Sequence, residues 1–159
     1  MMSVPKSVTR VTKDGVKFID NVDRTNYCIH ELCRAALRDS AKFIKKEFKN
    51  SYYSTFNKRT GNAGKSLASE VISGKKTLYP RVNIGIPKAY RGKEVPGFYS
   101  IFQEIGSSKQ PRLGLLQNAV ESNIPQIIEI QSQYLSALEN ESQALSLIDE
   151  NEHVDYEDV

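Results

Sequence analysis

The stretch "DRTNYCIHELCRAALRDSAKFIKKEFKNSY", residues 23–52, decides the fold because it is the longest uninterrupted segment with a single periodicity. Its apolar side chains recur at steps of three and four residues, which places them on one face of an α-helix. Asp23, with Asn26, offers side-chain oxygens that can cap a first turn. The pattern predicts a long amphipathic helix whose apolar stripe comprises Ile29, Leu32, Cys33, Ala36, Leu37, Phe43, Ile44 and Phe48.

Segments of β type flank this helix on both sides. Before it, Asp14-Gly15 is a strong hairpin turn signal, so residues 1–22 are expected to form an arm or hairpin. After it the period falls to two, and "SLASEVIS" (residues 66–73) and "TLYPRVNIGIP" (residues 77–87) predict two strands. The segment "FYSIFQEI" (residues 98–105) predicts a third strand or a short helical turn.

The remaining segments are a loop and a second helical region. The Gly, Pro and charged residues of "KAYRGKEVPG" (residues 88–97) predict a projecting loop. Pro111 suits the first position of a helix, and Pro125 is expected to kink or restart that helix because proline lacks the backbone N–H. Beyond it a second apolar stripe is predicted, comprising Ile127, Ile128, Tyr134, Leu135, Leu138, Leu145 and Ile148.

Together these elements predict an α+β fold. A long N-terminal helix and a broken C-terminal helix are expected to pack on a small antiparallel sheet of three strands. Because 159 residues suit one ordinary domain, we expect an arm over residues 1–22, a single domain over 23–148 and an acidic flexible tail over 149–159.

Composition narrows the class of protein. A hydrophobic content of 39% with 26% charged residues is ordinary for a soluble globular protein, and no apolar run approaches the length of a membrane span. The first fifteen residues have no apolar signal segment, so secretion is not expected. The sequence favours a protein made or assembled in a cytoplasm.

Charge is distributed unevenly along the chain. Residues 1–112 hold all 22 basic residues and nine acids, a formal charge of +13. Residues 113–159 hold ten acids and no Lys or Arg, a formal charge of −10. This separation of positive from negative charge bears on how the protein associates with partners, and it does not indicate a particular fold.

A metal site is disfavoured. Cys28, His30 and Cys33 lie on the predicted long helix at offsets of two and five residues, which point their side chains in divergent directions. The other histidine, His153, lies in the acidic tail. Both cysteines are therefore expected to be small core or near-core residues.

A nucleotide site is disfavoured as well. The segment "RTGNAGKSL" (residues 59–67) resembles the end of a phosphate-binding loop, but Arg59 stands where the first glycine is needed. Glu70, Glu94 and Glu104 are isolated acids without a partner pattern for acid–base chemistry. We therefore predict no catalytic residue, no cofactor and no enzymatic activity, and expect Glu104 to be a structural hydrogen-bond acceptor or an interface residue.

The basic residues of the long helix leave an alternative open. Aromatic side chains such as Tyr52 and Tyr53 interleave with basic segments, and such surfaces can contact the phosphates and bases of nucleic acids. The acidic C-terminal region opposes that contact, and a solvated helix face is the simpler explanation. The basic residues concerned are Arg34, Arg38, Lys42, Lys45, Lys46 and Lys49.

Three motifs in order resemble a known family. "RTGNAGKSL", "FYSIFQEIGSS" and a helix beginning "PRLGLLQNAV" resemble the neck and tail-completion, or head–tail joining, minor structural proteins of long-tailed bacteriophages. Thr60-Gly61 followed by Ser66 keeps the family spacing, as do Tyr99 and the segment at residues 104–107. Ala63 stands where a larger apolar residue is common, and Ile105 and Ser107 replace the usual residues.

The resemblance implies a non-enzymatic virion protein that is assembled in the host cytoplasm. It implies a homo-oligomeric ring at the head–tail junction, acting as a neck, connector or tail-terminator layer between the portal–connector complex and the tail tube. Its expected partners are further copies of itself, those neighbouring proteins and, without sequence specificity, DNA in the lumen; no membrane partner is expected.

A ring requires one surface of each copy to meet a different surface of the next. The uneven charge suits such a contact, with acidic C-terminal helix against basic surface; the alternatives are that the acids line the lumen or only aid solubility. The residues expected at interfaces are Arg59, Lys65, Lys88, Arg91, Lys93, Tyr99, Glu104, Arg112, Glu129, Glu139 and Glu141.

Overall fold

The structure is a computed structural model that describes residues 4–6, 8–11, 17–57, 61–73, 79–90 and 93–153. These residues form helices and antiparallel strand pairs, which confirms the α+β class. The chain divides into two compact units, one from Met1–Ala36 with Ser132–Val159 and the other from Leu37–Gln131. The predicted division into an arm, one domain and a tail stays a prediction.

The predicted long helix is present as α1, Val22–Thr55. It begins earlier than expected because Oδ1 of Asp20 accepts the N–H of Val22 at 3.1 Å, so Asp20 rather than Asp23 provides this contact. The predicted stripe is confirmed in large part, although Ile29 is exposed. The buried apolar residues of α1 are Cys28, Leu32, Ala35, Ala36, Ala41, Ile44, Phe48 and Tyr52.

The N-terminal hairpin strands precede α1. Strands β1, Val8–Val11, and β2, Lys17–Asp20, pair antiparallel with Val8 opposite Asp20 and Val11 opposite Lys17. This confirms the predicted hairpin strands, while the predicted turn at Asp14-Gly15 lies outside the described residues.

A short helix and a second strand pair follow α1. Helix α2 is a single turn, Asn62–Lys65. Strands β3, Ala68–Ile72, and β4, Arg81–Gly85, pair antiparallel from Ala68 opposite Gly85 to Ile72 opposite Arg81. Both predicted strands are confirmed, and the turn between them falls largely outside the described residues.

Of the two alternatives predicted for residues 98–105, the short helical turn is confirmed and the third strand is wrong, because these residues form helix α3, Ser100–Ile105. The sheet therefore has two described strands in this unit. A helix forms because the chain turns at Gly97, whose carbonyl accepts the N–H of Ser100 at 2.9 Å. In this helix, side chains that share a face are about three residues apart, whereas in a strand they would be two residues apart.

The predicted projecting loop holds a small ladder of its own. Strands β5, Ala89–Tyr90, and β6, Lys93–Glu94, pair antiparallel, and the N–H of Val95 donates to the carbonyl of Lys88 at 3.1 Å. The exposed side chains of Lys88, Lys93 and Glu94 agree with a segment that faces solvent.

The C-terminal helical region is divided into α4, Leu115–Glu121, α5, Ile124–Ser136, a 3₁₀ turn, Ala137–Glu139, and α6, Glu141–His153. Pro111 was predicted at the first position of a helix, but this is wrong: α4 starts only after Gly114. Pro125 lies in the first turn of α5, which confirms the predicted restart.

Helix α6 extends into the segment that was predicted to be a tail from residue 149. Helix α6 continues to His153, since Ala144 and Ile148 are buried and anchor it, while residues 154–159 lie outside the described residues. Asn140 supports its start, because Oδ1 of Asn140 accepts the N–H of Ser142 at 3.0 Å.

The core of the second unit lies around the end of α1. It contains Phe48, Tyr52, Ala63, Leu67, Ile86 and Ala119, with the half-buried Phe98 and Ile101 packed against it. Among the described residues, none of the helices is long and apolar enough to cross a membrane.

Candidate interaction surface

The glycine segment that resembled a phosphate loop is held by Tyr53. The Tyr53 hydroxyl donates to the carbonyl of Gly61 at 2.9 Å and accepts the N–H of Gly64 at 3.0 Å. A Cβ at Gly64 would lie 2.6 Å from that hydroxyl oxygen, and Gly61 has a φ of 75°, so both positions favour glycine. The N–H of Gly64 is thus bound to a side chain rather than available to a phosphate.

A buried pair of hydroxyls joins this segment to the start of α3. Oγ of Ser66 lies 2.9 Å from Oγ of Ser100, and both side chains are almost fully buried. Each oxygen also lies within hydrogen-bond distance of the carbonyl three residues earlier, Ala63 or Gly97. Because each hydroxyl has one proton, one donates to the other, which in turn donates to its own carbonyl.

Gly97 brings the two backbones into direct contact. A Cβ built on Gly97 would lie 2.1 Å from the carbonyl oxygen of Asn62 and 2.8 Å from Cβ of Ser66. Real Cβ atoms do not approach so closely, so this position admits only glycine without a backbone shift. Sequence reasoning missed Tyr53, Gly97 and Ser100, since only packing reveals why these residues are needed.

The inner side of α3 is fixed by two more residues. The Tyr52 hydroxyl donates to Oε1 of Gln103, and burial is the main cause that raises the pKa of Tyr52. The Glu104 carboxylate accepts the N–H of Leu116 at 2.9 Å and that of Gln117 at 3.2 Å. These are the first-turn donors of α4, so Glu104 caps that helix where Gly114 has no side chain to do so.

Glu104 is therefore a hydrogen-bond acceptor, as the sequence analysis expected. A role at an interface stays a prediction for it. Backbone hydrogen bonds reinforce the same join, since the N–H of Leu113 donates to the carbonyl of Gln103 at 3.0 Å and that of Gly114 to the carbonyl of Glu104 at 3.2 Å. Helix α3 is thus held at both ends and along its inner side.

The outer side of α3 is apolar and faces solvent. Tyr99 and Phe102 are each 50% exposed and Ile105 is 62% exposed, at a spacing of three residues. We call these three residues the α3 face. The Phe102 ring also makes an edge contact with Phe98 at a centroid distance of 6.2 Å. Tyr99 was predicted at an interface, whereas Phe102 and Ile105 were not.

Basic residues follow the α3 face directly. Lys109 and Arg112 are exposed, and the backbone of Arg112 lies against Gly106 at the end of α3, where a Cβ would be 3.0 Å from the Arg112 nitrogen. The Arg112 guanidinium donates to Oε1 of Gln117. Of the other predicted interface residues in this unit, Lys65, Lys88 and Lys93 are exposed.

The acidic interface residues lie elsewhere along the chain. Glu129 on α5 and Glu139 in the 3₁₀ turn are exposed. Glu141 is the first residue of α6, and its side chain lies outside the described part of the chain, as do Arg59 and Arg91.

Helix α5 also exposes apolar side chains. Ile124 is 49% exposed and Ile128 is 60% exposed, and they share one face of the helix because they are four residues apart. We call this pair the α5 patch. Tyr134 is buried on another side of α5, so the predicted second stripe is only partly a core stripe.

The basic flank of α1 is partly neutralised on the helix itself. Arg34 forms an ion pair with Glu31 at 3.0 Å, and Lys42 forms one with Asp39 at 3.4 Å, each across three residues. Lys46 and Lys49 are exposed. These pairs reduce the charge that α1 can offer to nucleic-acid phosphates.

The cysteines behave as core residues rather than ligands. Cys28 is buried, Cys33 is half-buried, and neither forms a disulfide. Burial raises the pKa of the Cys33 thiol, which keeps it protonated at neutral pH. Within the described ranges, no group of three or more His, Cys, Asp or Glu side chains is arranged to hold a metal ion.

No protein-family model matches this chain, and no curated protein or solved structure matches it either. The resemblance to phage neck proteins therefore stands on the three sequence motifs. In the structure these motifs contact one another: Ser66 meets Ser100, Asn62 meets Gly97, and Glu104 caps α4. Residues that are far apart in sequence thus pack together around α3.

Proposed function

We propose that this protein is a structural virion protein that assembles into a ring at the head–tail junction of a long-tailed bacteriophage. It acts there as a neck, connector or tail-terminator layer that joins the portal–connector complex to the tail tube. The observation that carries the proposal is the α3 face, an exposed apolar surface on a helix that the protein holds firmly in place.

Large apolar side chains that are exposed to water raise the free energy of the protein. Burial of these side chains against a partner removes that unfavourable contribution. Single exposed apolar residues are common on any protein, but three large ones on α3 and the residue that precedes it form a patch of the kind that marks a binding surface. The contacts of Ser100, Gln103 and Glu104 hold this patch rigid before binding. Rigidity lowers the entropy lost on association, and so supports a role in assembly.

The charge distribution supports association between unlike surfaces. Residues 1–112 carry +13 and residues 113–159 carry −10, so two identical surfaces from either region would repel each other. A contact between the basic region of one copy and the acidic region of the next is attractive. Contacts of this head-to-tail kind close into rings when the rotation between copies allows it.

The test is the assembly state of the purified full chain and the phenotype of virions that lack it. Light scattering after size-exclusion chromatography and negative-stain electron microscopy are expected to show closed rings without DNA. Virions without the protein are expected to yield unjoined heads and tails. A monomer at high concentration, together with normally joined virions, would overturn the proposal.

The second candidate is a basic nucleic-acid-binding accessory protein, which the exposed Lys46 and Lys49 of α1 favour. Two other basic residues of α1 are paired with acids on the same helix, which weakens this candidate. Saturable binding of a DNA duplex by the monomer would favour it, whereas ring formation without DNA favours the first candidate.

A further inference from the structure

We propose that the α3 face of one copy docks on the α5 patch of the next copy. Tyr99, Phe102 and Ile105 would cover Ile124 and Ile128, with basic residues after α3 opposite acidic residues beside the α5 patch. The inference rests on the proposed ring and names the two surfaces through which its copies meet.

The two surfaces are distinct parts of the second unit. Glu104 binds the first turn of α4, whereas Ile124 follows the other end of that helix. Seven residues of helix extend about 10 Å. One copy therefore presents the α3 face and the α5 patch at separate places, which is the requirement for a head-to-tail contact.

Both surfaces are apolar at the centre. The exposed fractions range from 49% for Ile124 to 62% for Ile105, and each surface lies on a helix rather than on a loop. Pro125 in the first turn of α5 fixes the backbone beside Ile124. Each surface offers the aromatic or aliphatic centre that protein interfaces bury.

The charges around the two surfaces are complementary. Between Ile105 and Arg112 the chain carries Lys109 and Arg112 and no acid. Glu129, which follows Ile128 on α5, is exposed, and no Lys or Arg follows Arg112 anywhere in the chain. An α3–α3 contact would bring bases together and an α5–α5 contact would bring acids together, so the mixed contact is the attractive one.

Two variants test the contact, one on each surface. Phe102→Glu places an acid on the α3 face, where it is repelled by Glu129 of the next copy. Ile128→Lys places a base on the α5 patch, where Lys109 of the next copy repels it. Both positions are exposed, so circular dichroism and the thermal midpoint are expected to stay close to those of the original protein.

Each variant alone is expected to be a 17.9 kDa monomer by light scattering, because every head-to-tail contact then contains one altered surface. An equal mixture is expected to form dimers or larger assemblies, although neither variant does so alone. The intact α5 patch of the Phe102 variant can bind the intact α3 face of the Ile128 variant, and the two altered surfaces place the new Glu opposite the new Lys, which attract each other. A symmetric α3–α3 contact predicts instead that the Ile128 variant assembles normally.

Matched controls are available on the same protein. Gln126→Lys adds the same base on the exposed part of α5 away from the α5 patch, and Tyr79→Glu adds the same acid at another exposed aromatic residue. Both controls are expected to assemble like the original protein. Assembly of the original protein and of both test variants would overturn this contact and leave the ring intact, whereas a monomeric original protein would overturn the ring itself.

Discussion

At the scale of single residues, Gly97 is a position where a side chain has no room. Its missing side chain lets the turn before α3 lie against the carbonyl of Asn62. The neighbouring hydroxyls of Ser66 and Ser100 then meet in the interior. The glycine and the two serines act together, because the hydroxyl contact exists only if the two backbones are this close.

We predict that Gly97→Ala lowers the free energy of unfolding by about 1–3 kcal/mol, since the new methyl group overpacks the contact with Asn62. Urea unfolding followed by circular dichroism measures the change. Gly85→Ala is the matched control, because nothing lies within 4 Å of a Cβ built there. The control is expected to change stability by less than about 0.5 kcal/mol; equal effects at the two glycines would contradict the packing argument.

At the scale of elements, α3 and α4 are joined by a cap that comes from a distant position. Glu104 accepts the N–H groups of Leu116 and Gln117, twelve and thirteen residues further along the chain. A local cap is missing because Gly114, in a left-handed conformation at φ 59°, has no side chain. The same bonds that start α4 thus also hold the α3 face in place.

We expect Glu104→Ala to destabilise the protein by about 1–2 kcal/mol, because the first turn of α4 loses both its acceptor and a favourable negative charge. Urea unfolding provides the measurement. Glu94→Ala removes an exposed acid from β6 and is expected to have almost no effect. If both substitutions were neutral, capping by Glu104 would not contribute to stability.

The elements also show where sequence patterns succeed and where they fail. Helix α1 and the strands β3 and β4 were predicted because their periods of 3.6 and two extend over many residues. Residues 98–105 left a strand and a helical turn open, and the helix is favoured by contacts with Ser66 and Tyr52, 34 and 51 residues away. The helix expected at Pro111 starts later for a similar reason, since its cap is the remote Glu104.

At the scale of the whole molecule, the proposed ring combines an apolar contact with an electrostatic one. Exposed charges attract weakly and are screened by salt, whereas apolar burial is not. The two contributions can therefore be separated by varying ionic strength alone.

We predict that raising sodium chloride from about 0.05 M to about 1 M reduces the fraction of assembled protein, because the Debye length falls from more than about 10 Å to about 3 Å. Sedimentation velocity at fixed protein concentration measures that fraction. Sucrose at matched viscosity controls for the change in solution density and viscosity. Assembly that is unchanged by salt would remove the electrostatic contribution and leave the apolar contact as the sole support.

The sequence by itself determined the features that show as a repeated pattern, a single proline or an uneven distribution of charge along the chain. These are the amphipathic pattern of α1, the two strands of the second unit, the restart at Pro125 and the separation of basic from acidic residues. The tertiary structure alone decided that residues 100–105 are a helix and that Tyr99, Phe102 and Ile105 face solvent. The physical reason is that exposure depends on which partners occupy the inner side of a helix, and here those partners come from distant parts of the chain.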